Sequence, residues 1–266
     1  MRLYAAFIYV FLYAPIALIV VFSFNSGRYA MDWQGFSVEW YGRAFTNPVV
    51  TRALVTSLIV AGSTAVIATV VGTLCALGLE RMRGWLRRVF DALVYIAIMV
   101  PGVVIGISTL IAFVTLFDAL NPALEAMGLA RLQMGLWTVV CAHVLFNLAV
   151  VVLIVRARLA GMDRSLVEAS EDLYATPLAT FRQVVLPALM PSILAGLLLS
   201  FTFSFEDFII AFFVAGPNTT WPIYVFSSIR RGVTPEINAI GTAVLLTSLA
   251  LLTLAQLLLR TRTNSR

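Results

Sequence analysis

Residues 163–187 read DRSLVEASEDLYATPLATFRQVVLP and form the longest polar interruption between apolar spans in the second half of the chain. Ser165 and Glu168 have the spacing of a capping box, which predicts a helix that starts at Ser165. Thr176-Pro177 predicts a second helix, with threonine as its cap and proline at its first position. Pro187 is expected to end the unit. The stretch therefore predicts two short helices joined by a bend.

The composition on either side of this stretch is that of an integral membrane protein. The chain has 266 residues, of which 61% are hydrophobic and 12% are charged, and its mean hydropathy is +0.97. All 18 basic residues are arginine. Without lysine the chain has no G-K-[ST] phosphate-binding loop. If ATP drives this protein, another chain binds it, and no cofactor is expected on this chain.

Apolar runs predict six membrane spans, each close to or above the roughly 20 residues that cross a bilayer. The first contains Pro15, and Pro101-Gly102 is expected to break the third. The predicted spans are residues 3–24, 54–79, 89–117, 136–155, 188–215 and 239–259.

The arginines predict how these spans are oriented. Twelve of them lie on the side that carries both termini and Glu168. The other side holds six, namely Arg28, Arg43, Arg52, Arg131, Arg230 and Arg231. Because the side richer in basic residues is cytoplasmic, both termini and the Glu168 stretch are expected in the cytoplasm.

Two adjacent carboxylates, Glu206 and Asp207, lie in the predicted fifth span. Such a pair costs several kcal/mol unless it faces water, a partner or a cation. On a continuous helix Ser204 and Asp207 share a polar stripe, and Phe203 lies between the two acids. The arrangement suits an organic polycation, through charge pairing and cation–π contact. The same pair could instead bind an arginine of another subunit or exclude anions.

His143, the single histidine, lies in the predicted fourth span. It could bind a proton or ligand, or it could simply form a hydrogen bond to a neighbouring helix, near Asn147. Cys75 and Cys141 lie in apolar runs and are expected to be buried thiols. No metal site and no nucleophile–base pair is predicted, so a membrane enzyme is not favoured.

Residues 163–187 resemble the cytoplasmic coupling loop of ABC importer permeases. That motif is E-A-A, three residues, Gly, nine residues, I-x-L-P. At the same spacing this chain has Glu168-Ala169-Ser170, then Tyr174, then Val184-x-Leu186-Pro187. Ser170 replaces alanine, and Tyr174 replaces the glycine that takes the left-handed bend. That conformation is costly for a bulky residue, so the bend is expected to form in another way.

Three further runs resemble the spermidine/putrescine branch of these permeases, in particular its second membrane subunit. They are F-N-S-x-R-Y at 24–29, A-H-x-x-F followed by R-A-R-L within 142–159, and R-G-V-T-P-E-x-N-A at 231–239. Ala149 stands where the branch usually has proline. Related branches that carry iron, opines or thiamine have similar coupling loops.

The resemblance implies an all-α, six-span permease subunit of type I fold in the bacterial inner membrane. It implies a heterodimer with a sister permease, two ATPase subunits that bind Mg-ATP in the cytoplasm, and an extracytoplasmic solute-binding protein, with no nucleic-acid partner. The residues implied in coupling to the ATPase are Glu168, Ala169, Ser170, Tyr174, Leu186 and Pro187. The candidates for the path of a cationic solute, most readily a polyamine, are Phe203, Ser204, Glu206 and Asp207, with His143 as an additional candidate. Import of another solute, or a scaffold that recruits a cytoplasmic partner without transport, are the alternatives.

Overall fold

The computed structural model describes residues 2–29, 32–163, 165–230, 232, 234–247 and 249, and its named elements in this part of the chain are all helices. They are α1 Arg2–Phe22, α2 Glu39–Thr46, α3 Pro48–Arg81, α4 Gly84–Met99, α5 Gly102–Ala126, α6 Leu136–Ala160, α7 Ser165–Asp172, α8 Pro177–Thr180, α9 Leu186–Glu206, α10 Ile209–Val214 and α11 Trp221–Ile229. A five-residue π-helix, Phe181–Val185, joins α8 to α9, and residues 235–247 are also helical. The all-α fold class is confirmed.

Five helical segments of the described chain are long and apolar enough to cross a membrane: Tyr4–Phe22, Pro48–Arg81, Gly102–Ala126, Leu136–Ala160 and Pro177–Glu206. The first, second and fourth predicted spans correspond to α1, α3 and α6. The predicted sixth span, residues 239–259, begins within the helical residues 235–247 and lies mostly outside the described residues.

The predicted third span has its break where expected, but it is not one span. α4 ends at Met99, Val100 is extended with ψ of 128°, and α5 starts at Gly102. Pro101 lacks an N–H and disfavours helical geometry in the residue before it, which accounts for the break. The interval 89–117 therefore covers parts of two helices, of which α4 has 16 residues and α5 is the one long and apolar enough to cross a membrane.

The predicted fifth span is also interrupted, at a place where the sequence shows no proline or glycine. α9 ends at Glu206, and Asp207 is extended with ψ of 118°. Oδ2 of Asp207 accepts the N–H of Ala211 at 3.0 Å, so the carboxylate satisfies a donor in the first turn of α10. The single helix 188–215 is therefore wrong, and the polar stripe of α9 stops before Asp207.

The first helix of the predicted coupling loop starts at Ser165, as expected, but with a different cap. Oδ1 of Asp163 accepts the N–H of Ser165 at 2.9 Å, so the carboxylate caps the helix two residues earlier. The predicted capping box is therefore wrong in its cap residue. This backbone hydrogen bond, together with the Ser165 side chain, holds the pKa of Asp163 below its usual value.

The second helix of the loop starts as predicted but does not stop at Pro187. Oγ1 of Thr176 accepts the N–H of Ala179 at 3.3 Å, and Pro177 occupies the first helical position. The N–H of Leu186 then donates to the carbonyl of Phe181, which forms the π-helix. Because this wider turn lies directly before the proline, the chain continues into α9.

Two compact units make up the structure. One comprises residues 1–52 and 224–266, within which Asn25 is buried and organises a turn. Its amide donates to the carbonyls of Tyr29 and Asp32, and its oxygen accepts the N–H groups of Gly27 and Gln34. Residues 53–223 form the other unit.

The core of the second unit is built on the packing of α6 against α9. Small residues recur at every fourth position of α9, namely Ser192, Gly196, Ser200 and Ser204, and all are buried. A Cβ added to Gly196 would lie 3.4 Å from Val151 of α6. Membrane helices pack closely through such small residues, because there is little hydrophobic drive between them in lipid. Cys75 and Cys141 are exposed on helix surfaces, so the expectation of buried thiols is wrong.

Candidate functional site

An open pocket of about 250 Å³ lies in the second unit, beside the two helix breaks. Its walls come from the α4–α5 break, from α6, and from the α9–α10 break. The lining residues are Ile98, Val100, Gly102, His143, Phe146, Asn147, Phe203, Asp207 and Ile210. Non-helical backbone within a membrane is tolerated where it is buried in protein or lines a cavity, and both breaks meet this condition.

Close packing brings α10 to this position. Gly106 of α5 is buried, and a Cβ there would lie 2.7 Å from the ring of Phe213 and 3.4 Å from Cα of Ile210. Only glycine therefore lets α10 approach α5 so closely. The contact fixes the helix that begins just after Asp207.

His143 connects α6 to Ser204 on α9 and to Asp207, the residue that follows α9. Its side chain is 1% exposed, with Nε2 at 3.1 Å from Oδ2 of Asp207 and Nδ1 at 2.7 Å from Oγ of Ser204. Because an ionised carboxylate only accepts, Nε2 carries the hydrogen in this pair. Oδ2 then receives two donors, from His143 and from the Ala211 N–H. The other carboxylate oxygen, Oδ1, has no hydrogen bond to the described residues and remains available.

The structure separates the two acids that are adjacent in sequence. Asp207 lines the pocket with its side chain 22% exposed, whereas Glu206 is exposed and lies outside the pocket lining. Phe203 lines the pocket and is 42% exposed, with its ring centroid 6.1 Å from that of Phe146. Ser204 does not line the pocket, but its hydroxyl forms the hydrogen bond to Nδ1 of His143.

The proposed role of His143 in binding a proton or ligand stays a prediction. His143 forms the expected hydrogen bonds to a neighbouring helix, and it also lines the pocket. Asn147, however, bonds to the backbone carbonyl of His143 and not to its ring, with Nδ2 at 2.9 Å. Sequence reasoning missed Asn147 as a pocket residue. An asparagine in an apolar span was the available signal, since polar groups there need partners.

The pocket is lined by one carboxylate and two aromatic rings, a combination of groups that can bind a cation. A charge in this partly buried place is screened less than at a free surface, so pairing with an ammonium group would be favourable. Within the described residues, no three His, Cys, Asp or Glu side chains lie close enough to hold a metal ion.

The predicted coupling residues lie on and around α7 and α8. Glu168 and Ala169 are exposed on α7, and Oγ of Ser170 lies 2.9 Å from Oγ1 of Thr180, a bond that ties the two helices together. The departure from alanine at Ser170 thus has a structural use. Half-buried Leu186 and exposed Pro187 stand at the start of α9.

Tyr174 forms the bend between these helices by itself. Its φ is 56°, which is the left-handed conformation that the related loops give to glycine. The expectation that the bend forms in another way is therefore wrong. The Tyr174 side chain is 96% exposed, and next to it Leu173 and Leu178 are exposed too. An open pocket of about 540 Å³ lies along α8 and the π-helix, lined by Thr176, Leu178, Ala179, Arg182 and Gln183. Exposed apolar residues around a recess are typical of an interaction surface.

The C-terminal end of α6 contacts two other helices through residues of its R-A-R-L run. Nη1 of Arg156 lies 2.5 Å from Oδ1 of Asp91 on α4. Nε of Arg158 donates to the carbonyl of Ala188 on α9 at 3.0 Å. Sequence reasoning used these arginines for orientation and for the family resemblance, and it missed both contacts because neither partner is close in sequence.

Comparison with solved structures identifies the fold. A bacterial ABC transporter involved in the import of the acidic polysaccharide alginate matches with a TM-score of 0.74, at 17% identity, over 96% of this chain and 92% of that chain. The MetNI methionine ABC transporter matches with a TM-score of 0.53, at 16% identity, over 79% and 95% of the two chains. The fold is therefore the helical fold found in these ABC transporters.

Sequence comparison identifies the family. The chain belongs to the binding-protein-dependent transport system inner membrane components, whose family model matches residues 68–261. It is thus a multi-pass inner-membrane protein. It is 35% identical over 258 residues to the spermidine/putrescine transport system permease protein PotC of Escherichia coli K12, covering 97% of this chain and 92% of the relative. The putrescine transport system permease protein PotI of the same organism is 41% identical over 242 residues, covering 89% and 82%.

Proposed function

We propose that this chain is the membrane-spanning subunit of an ATP-driven importer for a small organic polycation, most specifically a polyamine such as putrescine or spermidine. The observation that carries the proposal is the Asp207 carboxylate, held by His143 at the break between α9 and α10, with Oδ1 facing no partner among the described residues. The printed functions of PotC and PotI in Escherichia coli support the same class of solute.

The proposed assembly follows from the exposed coupling helices and the absence of a phosphate-binding loop. This chain pairs with a sister permease and is not itself an enzyme. Two cytoplasmic ATPase subunits bind Mg-ATP and receive α7 and α8, with Glu168 facing them. An extracytoplasmic binding protein delivers the solute. The arginine distribution supports a cytoplasmic position for both termini and for α7.

The mechanism we propose is alternating access coupled through one helical segment. The segment Pro177–Glu206 is a nearly continuous run of 30 residues from α8 to the pocket. At 1.5 Å per residue it spans about 45 Å, longer than the hydrocarbon core of a bilayer. Closure of the ATPases would move α8, and α9 would carry that motion to the break at Asp207. The cation, paired with Asp207 in one state, would lose that pairing in the other.

The test is ATPase activity of the full complex in liposomes with its own binding protein. The solutes compared are putrescine, spermidine, an uncharged sugar and an amino acid. We expect several-fold stimulation by the two polyamines and none by the others. Stimulation by a different solute would replace the polyamine proposal while keeping the importer. No response to any solute, with ATPases bound, would favour a scaffold that recruits cytoplasmic partners without transport.

A further inference from the structure

One polar atom at the carboxylate pocket is buried without a partner. Asn147 lines the pocket and is 2% exposed. Its Nδ2 donates to the backbone carbonyl of His143 at 2.9 Å. Because a carbonyl only accepts, the atom in that bond is the amide nitrogen, and the other atom is the oxygen. That oxygen, Oδ1, has no hydrogen-bond partner among the residues that the structure describes.

A neighbour on α9 offers a competing explanation for this oxygen. The contacts of His143 with Ser204 and the close approach of Val151 to Gly196 fix an antiparallel register between α6 and α9. In that register Asn147 lies level with Ser200, whose hydroxyl is likewise buried and without a described partner. A direct bond between these two side chains is therefore the alternative to a ligand. Ser200, however, does not line the pocket, whereas Asn147 does.

We propose that Asn147 is a substrate-binding residue whose Oδ1 accepts an N–H from a primary ammonium group paired with Asp207. This inference rests on the proposed function. A primary ammonium has three N–H donors, and the free Oδ1 of Asp207 satisfies only part of them. An unpaired buried acceptor is unfavourable, so a state in which a donor reaches it is stabilised.

This geometry also specifies the class of ligand. The rings of Phe146 and Phe203 flank the pocket and suit the methylene groups next to the charge. Charge and aromatic rings alone would accept a quaternary ammonium as readily as a primary one. The Asn147 oxygen makes the site selective for N–H donors. Solvent does not reach this oxygen in the state described, so it is engaged once the pocket widens around the ligand.

The test compares two cations of equal charge on the full membrane complex in lipid nanodiscs, by equilibrium binding without the binding protein. The probes are radiolabelled 1,4-diaminobutane and its bis(trimethylammonium) counterpart, which has no N–H. The variant Asn147→Leu keeps the shape of the side chain and removes the acceptor. We expect it to weaken diaminobutane binding by about tenfold, the effect of one hydrogen bond to a charged group, and to leave the quaternary cation unchanged.

Ser200→Ala is the matched control, since it removes the other unpaired polar atom at the same level, outside the pocket. It should leave the binding of both cations at the parental value. A loss equal to that of Asn147→Leu would show a packing pair and overturn the inference. The inference would also be overturned if Asn147→Leu lost equal affinity for both cations. It would be overturned as well if Asn147→Leu bound diaminobutane as tightly as the parental complex.

A second pair keeps the test decisive if Asn147→Leu does not assemble. Asn147→Thr and Asn147→Val have the same shape and differ only in the hydroxyl, which in a helix bonds the carbonyl four residues back and keeps a lone pair free. We expect the Asn147→Thr complex to bind diaminobutane more tightly than the Asn147→Val complex. Equal affinities of the two variants would overturn the inference. A parental complex that binds no diaminobutane would instead overturn the proposed function, and this inference with it.

Discussion

At the scale of single residues, the proposed function gives Asp207 two roles, one structural and one in ligand binding. Oδ2 accepts hydrogen bonds from His143 and from the Ala211 N–H, which holds α10 in place. Oδ1 is left for the pocket. A structural group and a ligand group thus share one carboxylate. Glu206, one residue earlier, has neither contact and is exposed.

The two acids should therefore respond differently to neutralisation. We expect Glu206→Gln to reduce polycation uptake, because it removes charge near the path, while assembly and the unfolding temperature stay at the parental values. Asp207→Asn should reduce uptake and also destabilise the complex, by about 1–3 kcal/mol, because both charge-assisted hydrogen bonds of Oδ2 are weakened. Uptake in liposomes and thermal unfolding in detergent measure the two effects. Parental uptake kinetics in the double variant would remove the pair from the substrate path.

The sequence was sufficient to single out Asp207, Glu206 and His143, because ionisable side chains are costly in a span and invite a functional reading. It was not sufficient to divide the acids between pocket and surface. That division depends on the bonds that Asp207 makes to α6 and α10, and on the helix break that they stabilise. Asn147 was likewise visible as a polar residue, but its unpaired oxygen is a property of the packed structure.

At the scale of elements, some helix breaks are caused by the local sequence and others by tertiary contacts. The interruption at Pro101-Gly102 was predictable, since proline chemistry alone produces it. The interruption at Asp207 was not, since no residue there disfavours a helix enough to end it. The continuation of the helix through Pro187 was also missed. The π-helix directly before Pro187 accommodates a residue that has no backbone N–H.

The bend at Tyr174 carries strain that glycine would relieve. Tyr174 has a positive φ of 56°, and its side chain is 96% exposed, so truncation loses little packing. We expect Tyr174→Gly to stabilise the loop by about 1 kcal/mol, the usual cost of this conformation for an L residue with a side chain. Thermal unfolding of the purified complex measures the change.

Leu173→Gly is the control for this substitution. Leu173 is the preceding residue, it is also exposed, and it does not have a positive φ. Glycine there should destabilise slightly, because it adds conformational freedom to the unfolded chain without relieving strain. A lower unfolding temperature for both variants would mean that the exposed rings and side chains of this bend pack on a partner, and would contradict the strain account.

At the scale of the whole molecule, composition and apolar runs were enough to predict a helical membrane protein, and the coupling motif was enough to predict its family. The number and limits of the spans were less accessible. Hydropathy follows apolar runs and cannot register breaks inside them, so α4 and α5 were merged, as were α9 and α10. The helical run Pro177–Glu206, made of α8, the π-helix and α9, begins in the coupling loop itself. In the proposed mechanism this run connects the coupling loop to the pocket.

This connection leads to a prediction about Glu168, because motion of the ATPases reaches the helical run only if the coupling loop is bound to them. Glu168 is exposed and forms no ion pair with the described residues. We expect Glu168→Ala to lower uptake and binding-protein-stimulated ATPase activity at least about tenfold, a loss of roughly 1.4 kcal/mol in coupling, with normal membrane insertion. Glu171→Ala is the matched control, since Glu171 is equally exposed on α7 but lies outside the motif positions. Parental activity in both variants would exclude a coupling role for Glu168, while equal losses in both would indicate that net charge on α7 matters and not a specific contact.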